Sequence, residues 1–379
     1  MGDMTDQSAA RRTDARFMAE ALALGDSRLG FTGPNPSVGC LIVRDDGDGP
    51  RVVGAAATAP GGRPHAETQA LSLAGPLARG ATAYVTLEPC SHHGRTPPCA
   101  EALIAAGVAR VVIALVDPDS RVSGRGIAML EAAGIAVETG VEREAAAQAL
   151  EAYLFRKHHG RPFVTLKLAV SADGMIGRLG DGQVAITGPD ARTFVHQLRA
   201  RSDAILVGIR TAIADNPALT VRLPGLEERS PLRIVLDARL ELPVTSVLAR
   251  TARQVPTLVI GGETAAGEAQ EPAPRQRALE ELGVEVLGCD PRRLDLLLPA
   301  LATRGVSSLL VEGGARTATA FLEAGLVDRI LLLTAPTHVG AGGIEAPIVR
   351  DTIPAGFTHR DSTWLGPDRL DRYDLERTL

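Results

Sequence analysis

The apolar positions of the first half change repeatedly between a helical period and short continuous runs. Apolar residues three and four positions apart predict a first helix, which begins at Thr13 or Asp14 and ends at Gly25. Three further helices are predicted by the same period: 65–74, 99–108 and 124–134. Continuous apolar runs predict strands, of which the first two form a hairpin: 38–43, 51–56, 81–90, 109–118 and 135–140. Strands that alternate with helices indicate a layered α/β domain whose sheet is largely parallel.

The pattern changes near residue 142, where a charged, alanine-rich helix ends in the turn His-His-Gly-Arg-Pro, which is typical of a domain joint. A second domain that begins with a strand follows, and its apolar runs predict six strands: 162–171, 202–208, 232–238, 257–260, 307–314 and 329–336. The segment 261–277 is predicted to be a disordered loop. The expected division is a disordered tail, a first domain, a linker and a second domain: 1–12, 13–148, 149–160 and 161–379.

Length, charge and hydropathy narrow the class of protein. A chain of 379 residues exceeds the usual size of one hydrophobic core, which favours two domains. The net charge is −5 and charges of both signs are interspersed, so no nucleic-acid-binding surface is expected. No apolar run approaches the roughly 20 residues of a membrane helix, and the N-terminus lacks the apolar core of a signal peptide. These features predict a cytoplasmic protein, in which paired cysteines are more often metal ligands or redox groups than disulfides.

Two of the four cysteines lie close together in EPCSHHGRTPPC, residues 88–99, and the tripeptide HAE precedes them. His65, Cys90 and Cys99 would give a zinc ion three ligands and leave one position open, as in catalytic zinc sites. Zinc lowers the pKa of a bound water toward about 7. Glu67 follows the histidine by two residues and is suited to move protons rather than to bind metal. The signature H-x-E…P-C-x-x-C is that of zinc nucleobase deaminases, although eight residues separate the cysteines here.

Two other interpretations of the cysteine pair are open at this point. Cys90 and Cys99 could form a disulfide, which is rare in the cytoplasm, or they could be inert buried thiols. Neither interpretation explains the histidine and the glutamate of HAE. Cys40 lies inside an apolar run and is predicted to be part of the core, whereas Cys289 is predicted to be a lone thiol near the surface.

Stretches in both halves share the pattern of one enzyme family. In the first half they are TGPNPSVGCLIV, PHAE, VTLEPCSHHGRTPPCAEALIAAGVARVV and DPDSRVSGRG. In the second half they are LKLAVSADGMI, ADNPALTVR, RIVLD and VEGGA. Together they closely resemble the bifunctional deaminase/reductase family of riboflavin biosynthesis, in which the longer cysteine spacing is the usual form. The resemblance implies a cytidine-deaminase-like three-layer α/β/α domain followed by a dihydrofolate-reductase-like α/β domain, with zinc and NADPH as cofactors and a homodimer or homotetramer built through the reductase domains.

The resemblance also implies two successive reactions on a small molecule. The first is the hydrolytic deamination of 2,5-diamino-6-(5-phosphoribosylamino)pyrimidin-4(3H)-one, with Glu67 as the proton shuttle. Asn35, His92 and Arg95 are then expected to bind the substrate, and His93 to be part of the loop structure. Without the resemblance, Asn35 could equally be a turn former between two prolines and Arg95 a solvated charge.

The second implied reaction is the NADPH-dependent reduction of the ribosyl group to ribityl. VEGGA joins an apolar strand to a helix, where backbone N–H groups can bind an anion, although a Gly-Gly turn by itself is more often only a turn. The pattern is not G-x-G-x-x-G, so a Rossmann fold is not supported. By resemblance, the cofactor contacts are Ala169, Thr211, Asp215, Gly313 and Gly314. By resemblance, the substrate contacts are Arg199, Leu219, Arg222 and Glu312.

The charged residues of the second half have ordinary structural alternatives. Arg199 and Arg222 suit a phosphate, because a guanidinium binds phosphate through paired hydrogen bonds, but a solvated surface charge is the commoner role of an arginine. Lys167 and Asp173 could face the active site, or they could be a strand lysine and a turn aspartate.

One segment departs from the family. Where members carry a pattern like S-G-E-S-x-W-I-T, this chain has Gln183 and Ala185 in place of the serine and the tryptophan, and Ala238 replaces the serine that usually follows RIVLD. The missing aromatic contact predicts weaker or rearranged binding of the nicotinamide or the substrate. A deaminase whose second domain does not reduce is therefore an alternative. A nucleic-acid-editing deaminase is disfavoured by the acidic balance and the aromatic content of 3%.

Overall fold

A computed structural model of the chain describes residues 2–93, 97–180, 182–262 and 274–376. The chain divides into two compact units, Met1–Gly160 and Arg161–Leu379. The α/β class expected of both halves is confirmed by the sheets and helices of each unit. None of the described helices is long and apolar enough to cross a membrane.

The first unit is built on one five-stranded sheet within the described residues. Its helices are α1 Gly2–Asp26, α2 Ala66–Ala74, α3 Cys99–Ala106, α4 Arg125–Ala132, α5 Arg143–Ala149 and α6 Glu151–His159. Its strands are β1 Gly39–Arg44, β2 Arg51–Ala57, β3 Thr82–Val85, β4 Arg110–Ile113 and β5 Ala136–Thr139. The strand order is β2-β1-β3-β4-β5, in which β1 runs antiparallel to both neighbours and β3, β4 and β5 are mutually parallel. The predicted hairpin and the parallel remainder are therefore confirmed.

Two glycines of this sheet allow helices to pack directly on its opposite faces. A Cβ on Gly39 would lie 1.8 Å from the carbonyl oxygen of Ala21 in α1, and one on Gly54 would lie 2.2 Å from that of Ala70 in α2. Gly54 pairs with Ile42 across the hairpin. Because positions 39 and 42 are an odd number of residues apart, they point to opposite faces of the sheet. The unit therefore has the three layers α/β/α.

Replacing Gly39 by alanine is expected to destabilise the first unit by about 1–3 kcal/mol, because the added methyl group forces α1 away from the sheet. The matched control is Gly288→Ala, since a Cβ at that position meets no atom within 4 Å. Urea unfolding followed by circular dichroism measures both variants. Equal midpoints for the two variants would contradict the close contact between α1 and β1.

The first helix is longer than the sequence predicts. It spans Gly2–Asp26, where a disordered tail was expected over 1–12 with the helix beginning directly after it. No proline interrupts this stretch, and its alanine, arginine and methionine residues favour helix. Asp14, expected as a possible cap, is instead buried, where it accepts hydrogen bonds from the Tyr84 hydroxyl at 2.7 Å and from Arg110 at 2.7 and 2.8 Å. This carboxylate therefore ties α1 to the sheet and does not start the helix.

The segment 149–160, which the sequence predicts as a linker, is largely helical. Helix α6 occupies most of it and belongs to the first unit. Tyr153 and Phe155 of this helix are buried, and the Tyr153 hydroxyl donates to the Asp117 carboxylate at 3.2 Å. Burial of two aromatic side chains holds this helix in a packed structure.

The second unit is built on a nine-stranded sheet within the described residues. Its main-sheet strands are β6 Phe163–Val170, β8 Ala204–Gly208, β9 Leu232–Leu236, β10 Thr257–Ile260, β11 Glu285–Leu287, β12 Ser308–Val311, β13 Arg329–Thr334, β15 Phe357–Leu365 and β16 Asp368–Leu375. Two short strands pair separately: β7 Met175–Arg178 and β14 Gly343–Glu345. The helices are α7 Pro189–Ala200, α8 Ile209–Asp215, α9 Val247–Arg250, α10 Pro274–Glu281, α11 Leu294–Thr303 and α12 Ala315–Glu323.

The order of the large sheet is β11-β10-β9-β8-β12-β6-β13-β16-β15. The strands from β11 to β13 are parallel, and β16 and β15 add an antiparallel hairpin at one edge. All six strands predicted for this half are present. The predicted disordered loop over 261–277 lies mostly outside the described residues.

The sequence analysis missed the hairpin β15–β16, because its strands carry charged residues at positions where apolar ones were sought. Asp374 of β16, for example, forms ion pairs with Arg329 at 2.6 Å and with Arg372 at 2.7 Å. The register with β13 runs from Arg329 opposite Asp374 to Thr334 opposite Arg369. The hairpin is therefore stabilised by hydrogen bonds to the neighbouring strand β13 and by these charge pairs. An apolar period along its own residues is not what defines it.

Candidate active sites

Three chain segments bring His65, Cys90 and Cys99 together in the first unit. His65 directly precedes α2 and has an extended backbone, with φ −69° and ψ 160°. Cys99 is the first residue of α3. Cys90 follows β3, and its carbonyl oxygen accepts the Ala100 N–H at 3.2 Å. The starts of two helices therefore meet at this cluster, and their positive ends favour thiolate ligands.

The spacing of the three side chains fits one zinc ion. The His65 Nδ1 atom lies 3.7 Å from the Cys90 Sγ and 3.3 Å from the Cys99 Sγ, and all three ligand atoms lie within 4.8 Å of one another. Tetrahedral zinc, with bonds of about 2.3 Å to sulfur and about 2.0 Å to nitrogen, places neighbouring ligand atoms about 3.5–3.8 Å apart. Both thiols are free, so the structure holds no disulfide between them. The predicted convergence of His65, Cys90 and Cys99 into a zinc-binding cluster is confirmed.

The electrostatics of this cluster favour proton transfer by Glu67. Glu67 is the second residue of α2, and its side chain is buried, with 4% of the residue exposed. Burial raises the pKa of its carboxyl group, although the nearby His65 acts in the opposite direction. A hydrogen bond from Cys99, together with His65, lowers the pKa of the Cys90 thiol to about 4 despite partial burial. A buried carboxyl group with a raised pKa is suited to accept a proton and to return it.

The structure describes three of the four residues discussed for the deaminase substrate and its loop, and it places them in different settings. Asn35 lies in the turn before β1, and Gly62 leaves room for its side chain, since a Cβ there would lie 2.1 Å from the Asn35 Nδ2. His92 has a buried Nδ1 atom without a hydrogen-bonding partner among the described residues. His93 lies at the surface with its Nε2 atom 3.1 Å from a Glu101 carboxylate oxygen, an arrangement compatible with the loop role expected for it. Arg95 lies outside the described residues.

The remaining cysteines lie away from this cluster. Cys40 of β1 is fully buried in the core of the first unit, as the sequence predicts. Cys289 is partly buried and packs against the core of the second unit. Among the described residues, Cys90 and Cys99 are therefore the two cysteines that belong to a candidate metal site.

In the second unit, Glu312 is the centre of a buried charge network. It follows β12, and the Arg199 guanidinium binds its carboxylate in a bidentate manner, with Nε 2.8 Å from Oε1 and Nη2 3.0 Å from Oε2. The Lys167 Nζ lies 3.3 Å from Oε2. Burial would raise the pKa of this carboxyl group, but the charges of Lys167 and Arg199 outweigh it and lower the pKa to about 2. Glu312 is therefore an anion, and Lys167 belongs to its network rather than being an ordinary strand lysine.

The glycine pair after Glu312 allows a close approach of two strand–helix connections. A Cβ on Gly313 would lie 2.5 Å from the Thr317 Cβ, and one on Gly314 would lie 3.0 Å from the Thr211 Oγ1. The Gly314 N–H donates to the Thr211 hydroxyl oxygen at 3.1 Å. The start of α12 and the start of α8 are thereby joined side by side. Side chains at these two glycines would fill the space in front of the start of α12. Because that space is free of side chains, the residues present fit the phosphate groups of a dinucleotide cofactor.

The loop between α8 and β9 contains a strained residue beside this network. Leu219 is buried and has a positive φ of 53°, which is uncommon for a leucine and concentrates at functional sites. The Arg199 Nη1 donates to the Thr220 carbonyl oxygen at 3.3 Å, while the Arg222 side chain is exposed. Arg199 thus links this loop to Glu312.

The sequence analysis missed His196, which the structure brings to the same loop. Its Nδ1 accepts the backbone N–H of Arg222 at 3.3 Å, and it lies one turn before Arg199 on α7. Burial lowers the pKa of His196, and the charges of Arg199 and Arg222 lower it further. Its spacing of three residues from Arg199, which places two residues on one face of a helix, was the signal that could have found it.

The other residues singled out in the second half have less central positions. Asp173 is a turn residue whose carboxylate accepts hydrogen bonds from the Ser171 hydroxyl at 2.6 Å and from the backbone N–H groups of Gly340 at 2.7 Å and Val339 at 3.0 Å. The Ser171 hydrogen bond lowers its pKa most, and the two backbone hydrogen bonds lower it further. Asp215 ends α8 and is partly buried, which raises its pKa. Ala169 lies on β6 opposite Leu333. Three residues at the positions that depart from the family are exposed: Gln183, Ala185 and Ala238.

A three-ligand zinc cluster with a buried glutamate, set at two helix starts on a three-layer α/β/α unit, defines a zinc-dependent deaminase, and a second enzyme unit follows it. The family described as the cytidine and deoxycytidylate deaminase zinc-binding region matches residues 11–115. The family described as the RibD C-terminal domain matches residues 162–358.

Relatives cover both units together. The riboflavin biosynthesis protein RibD of Escherichia coli is 42% identical over 373 residues, covering 94% of this chain and 97% of that protein. The RibD protein of Aquifex aeolicus is 40% identical over 332 residues, with 88% and 89% covered. The solved structure of Acinetobacter baumannii RibD superposes with a TM-score of 0.83 at 37% identity, covering 97% of this chain and all of that one. A Thermotoga maritima structure described as a diaminohydroxyphosphoribosylaminopyrimidine deaminase/5-amino-6-(5-phosphoribosylamino)uracil reductase has a TM-score of 0.82 at 30% identity, covering 97% of this chain and 99% of that one.

The chain therefore belongs to the RibD family of riboflavin biosynthesis proteins. It is a bifunctional enzyme with a zinc-dependent deaminase unit and an NADPH-dependent reductase unit. The expectation that this enzyme acts on a small molecule is thereby confirmed.

Proposed function

We propose that the first unit deaminates 2,5-diamino-6-(5-phosphoribosylamino)pyrimidin-4(3H)-one and that the second unit reduces the ribosyl group of the product to a ribityl chain. The observation that supports this most directly is the convergence of His65, Cys90 and Cys99 beside the buried Glu67. The description of the full-length Thermotoga maritima structure names a deaminase and a reductase of these two compounds.

In the deamination, zinc held by the three ligands supplies a water of lowered pKa as the nucleophile. Glu67 takes a proton from this water and delivers it to the amine nitrogen that leaves as ammonia, so one water is consumed for each ammonia released. Its buried position keeps the carboxyl group away from bulk solvent during the transfer. Asn35, His92 and Arg95 are proposed to hold the pyrimidine and the ribose phosphate, and the unpartnered Nδ1 of His92 is available for such a contact.

In the reduction, NADPH supplies a hydride to C1′ of the ribose. Ala169, Thr211, Asp215, Gly313 and Gly314 are proposed to bind the cofactor, because the close Thr211–Gly314 contact shapes the start of α12 into an anion site. The exclusion of side chains from the glycine pair is what allows the phosphates to approach the backbone.

The substrate of the reductase is proposed to contact Arg199, Leu219, Arg222 and Glu312. Arg222 is the better phosphate ligand of the two arginines, because its side chain is exposed whereas Arg199 already bonds Glu312 and the Thr220 carbonyl. Arg199 then acts on the substrate mainly by holding the Glu312 carboxylate and Leu219 in place.

The location and assembly of the enzyme follow from the same proposal. We propose a cytoplasmic homo-oligomer, a dimer or a tetramer, assembled through the reductase units. Sedimentation equilibrium over a range of protein concentrations measures the number of chains directly, and a monomer at all concentrations would contradict it.

The reductase half is tested by supplying purified protein with the deaminated 5-amino-6-(5-phosphoribosylamino)uracil and NADPH. Steady loss of the reduced nicotinamide absorbance that depends on the uracil compound is expected, because Gln183 and Ala185 are exposed and outside the Glu312 network. No NADPH oxidation in a preparation that still releases ammonia from the pyrimidine would instead support a deaminase whose second unit does not reduce.

The metal content provides a separate test of the deaminase half. About one zinc per chain is expected in protein purified without chelators, because His65, Cys90 and Cys99 form one set of three zinc ligands. Cys99→Ser is expected to lose most of the metal and the ammonia release together, while Cys289→Ser keeps both. An unchanged zinc content in the Cys99→Ser protein would show that the metal binds at another site.

A further inference from the structure

Glu88 is buried two residues before the zinc ligand Cys90, yet the deamination described above gives it no part. Only 3% of the residue is exposed. Its Oε1 accepts the backbone N–H groups of Gly126 at 2.9 Å and Ile127 at 3.4 Å, and its Oε2 accepts those of Gly124 at 2.9 Å and Asp117 at 3.3 Å. A carboxylate has about four acceptor positions, so these backbone donors occupy it fully.

The four donors all belong to one segment, 117–127, which includes the whole DPDSRVSGRG stretch and the first residues of α4 and is here called the support loop. This loop also contacts the chain on the other side of Cys90, because the Ser91 hydroxyl donates to the Arg121 carbonyl oxygen at 3.2 Å. The support loop packs directly against the chain beside Cys90 at Gly126, because a Cβ at this position would lie 2.1 Å from the Pro89 carbonyl oxygen. The residues before and after Cys90 are therefore both held by the support loop.

The support loop is itself fixed to the rest of the first unit. The Tyr153 hydroxyl of α6 donates to the Asp117 carboxylate at 3.2 Å, and Lys157 of the same helix forms an ion pair with Asp119 at 2.7 Å. The Glu88 backbone N–H donates to the Leu115 carbonyl oxygen at 2.8 Å, which continues the pairing of β3 and β4. Cys90 is thus held by this frame as well as by the start of α3, where the Ala100 N–H donates to the Cys90 carbonyl oxygen at 3.2 Å and the Cys99 N–H donates to the Cys90 Sγ at 3.3 Å.

From these contacts we infer that Glu88 is a positioning residue for the zinc site, which sets the place of the Cys90 Sγ relative to His65 and Cys99 by binding the support loop. Residues that orient metal ligands typically change metal affinity by about 10–100-fold when they are altered. The inference rests on the zinc cluster of the proposed deaminase. It also assigns a role to the DPDSRVSGRG stretch, which was recognised in the sequence without one.

The test compares Glu88→Gln with Glu131→Gln. The first change keeps the shape of the side chain but turns one acceptor oxygen into an NH2 group that faces backbone N–H donors. The second makes the same chemical change on the exposed face of α4. Zinc dissociation is followed with a chromogenic chelator, and the cobalt-substituted proteins are compared by their visible absorption spectra.

We expect Glu88→Gln to release zinc about 10–100-fold faster than the wild type and to shift the cobalt absorption bands, with Glu131→Gln unchanged in both measurements. Gly126→Ala, which presses on the Pro89 carbonyl from the same loop, is expected to change zinc release in the same direction. It also serves as the deciding variant if Glu88→Gln does not fold.

A lower unfolding midpoint with wild-type zinc release and a wild-type cobalt spectrum would overturn the inference, because Glu88 would then only cap α4. Wild-type release in the Gly126 variant would overturn it equally if the Glu88 variant is not folded. These results differ from a failure of the proposed deaminase, in which the wild-type protein itself would hold no zinc.

Discussion

Replacement of Glu67 by glutamine is expected to lower the rate of ammonia release by about 10²–10⁴-fold, while zinc stays bound. The amide has nearly the shape of the carboxylate but cannot accept the proton of the attacking water. The zinc ligands His65, Cys90 and Cys99 are unchanged by the substitution, so the metal content is expected to remain about one per chain. Ammonia release and zinc content are measured on the same preparation.

The second unit provides an internal control for this variant. NADPH oxidation with the already deaminated substrate is expected to equal that of the wild type, since Glu67 lies in the first unit. Full deaminase activity in the Glu67→Gln protein would refute the proton shuttle. Loss of both ammonia release and zinc would show instead that Glu67 is needed to keep the metal.

Replacement of Glu312 by glutamine is expected to have the largest effect in the second unit. The change leaves Arg199 and Lys167, which are both largely buried, without the carboxylate that compensates them. Breaking a buried ion pair in this way costs about 3–5 kcal/mol in the free energy of unfolding. The reductase kcat/KM is expected to fall by about 10²-fold, because the loop that carries Leu219 is held through Arg199.

The matched control is Glu285→Gln, which removes a carboxylate from an exposed ion pair with Arg304. Exposed pairs contribute about 0–1 kcal/mol, so this variant is expected to keep its stability and its NADPH oxidation. Urea unfolding and initial rates of NADPH oxidation are measured on both proteins. Equal losses in the two variants would contradict the central role of the Glu312 network.

The same carboxylate predicts how stability depends on pH. The pKa of Glu312 is about 2 in the folded protein, compared with an ordinary value of 4.5. A group whose folded pKa is lowered stabilises the protein fully above its unfolded pKa and loses that contribution as the pH falls toward the folded value. The wild-type unit is therefore expected to lose stability between about pH 4.5 and pH 2 through this group, and Glu312→Gln to lack this part of the acid dependence.

Much of the deaminase site could be predicted because its residues lie close together along the chain. His65 and Glu67 are two positions apart at a helix start, and Cys90 and Cys99 are separated by one loop. Local spacing and residue chemistry therefore indicated a three-ligand zinc site before any contact was known. The five strands of the first unit and six strands of the second were found for a similar reason, since a strand buried in a sheet is a continuous apolar run.

The missed hairpin β15–β16 derives its stability from partners that are distant in the chain. Its apolar residues are scattered among charged ones, and it depends on pairing with β13 and on ion pairs such as Arg329–Asp374. Residues 1–12 looked like a tail because their helix has no apolar period, yet α1 continues through them. Neither feature leaves an apolar pattern in its own residues.

The amino-acid sequence by itself determined the α/β class, the two-domain organisation and the chemistry of the zinc ligands, because these depend on local periodicity and on the types of neighbouring residues. Only the tertiary structure decided that Glu312 meets Arg199 and Lys167, which lie 113 and 145 positions away, and that Glu88 binds a loop 29 to 39 positions further along the chain. Such pairs form when the order of strands in the sheet brings segments that are distant along the chain next to each other. Hydrogen bonds and charge pairs between these connections carry no periodic signal, so the fold had to be known before they could be found.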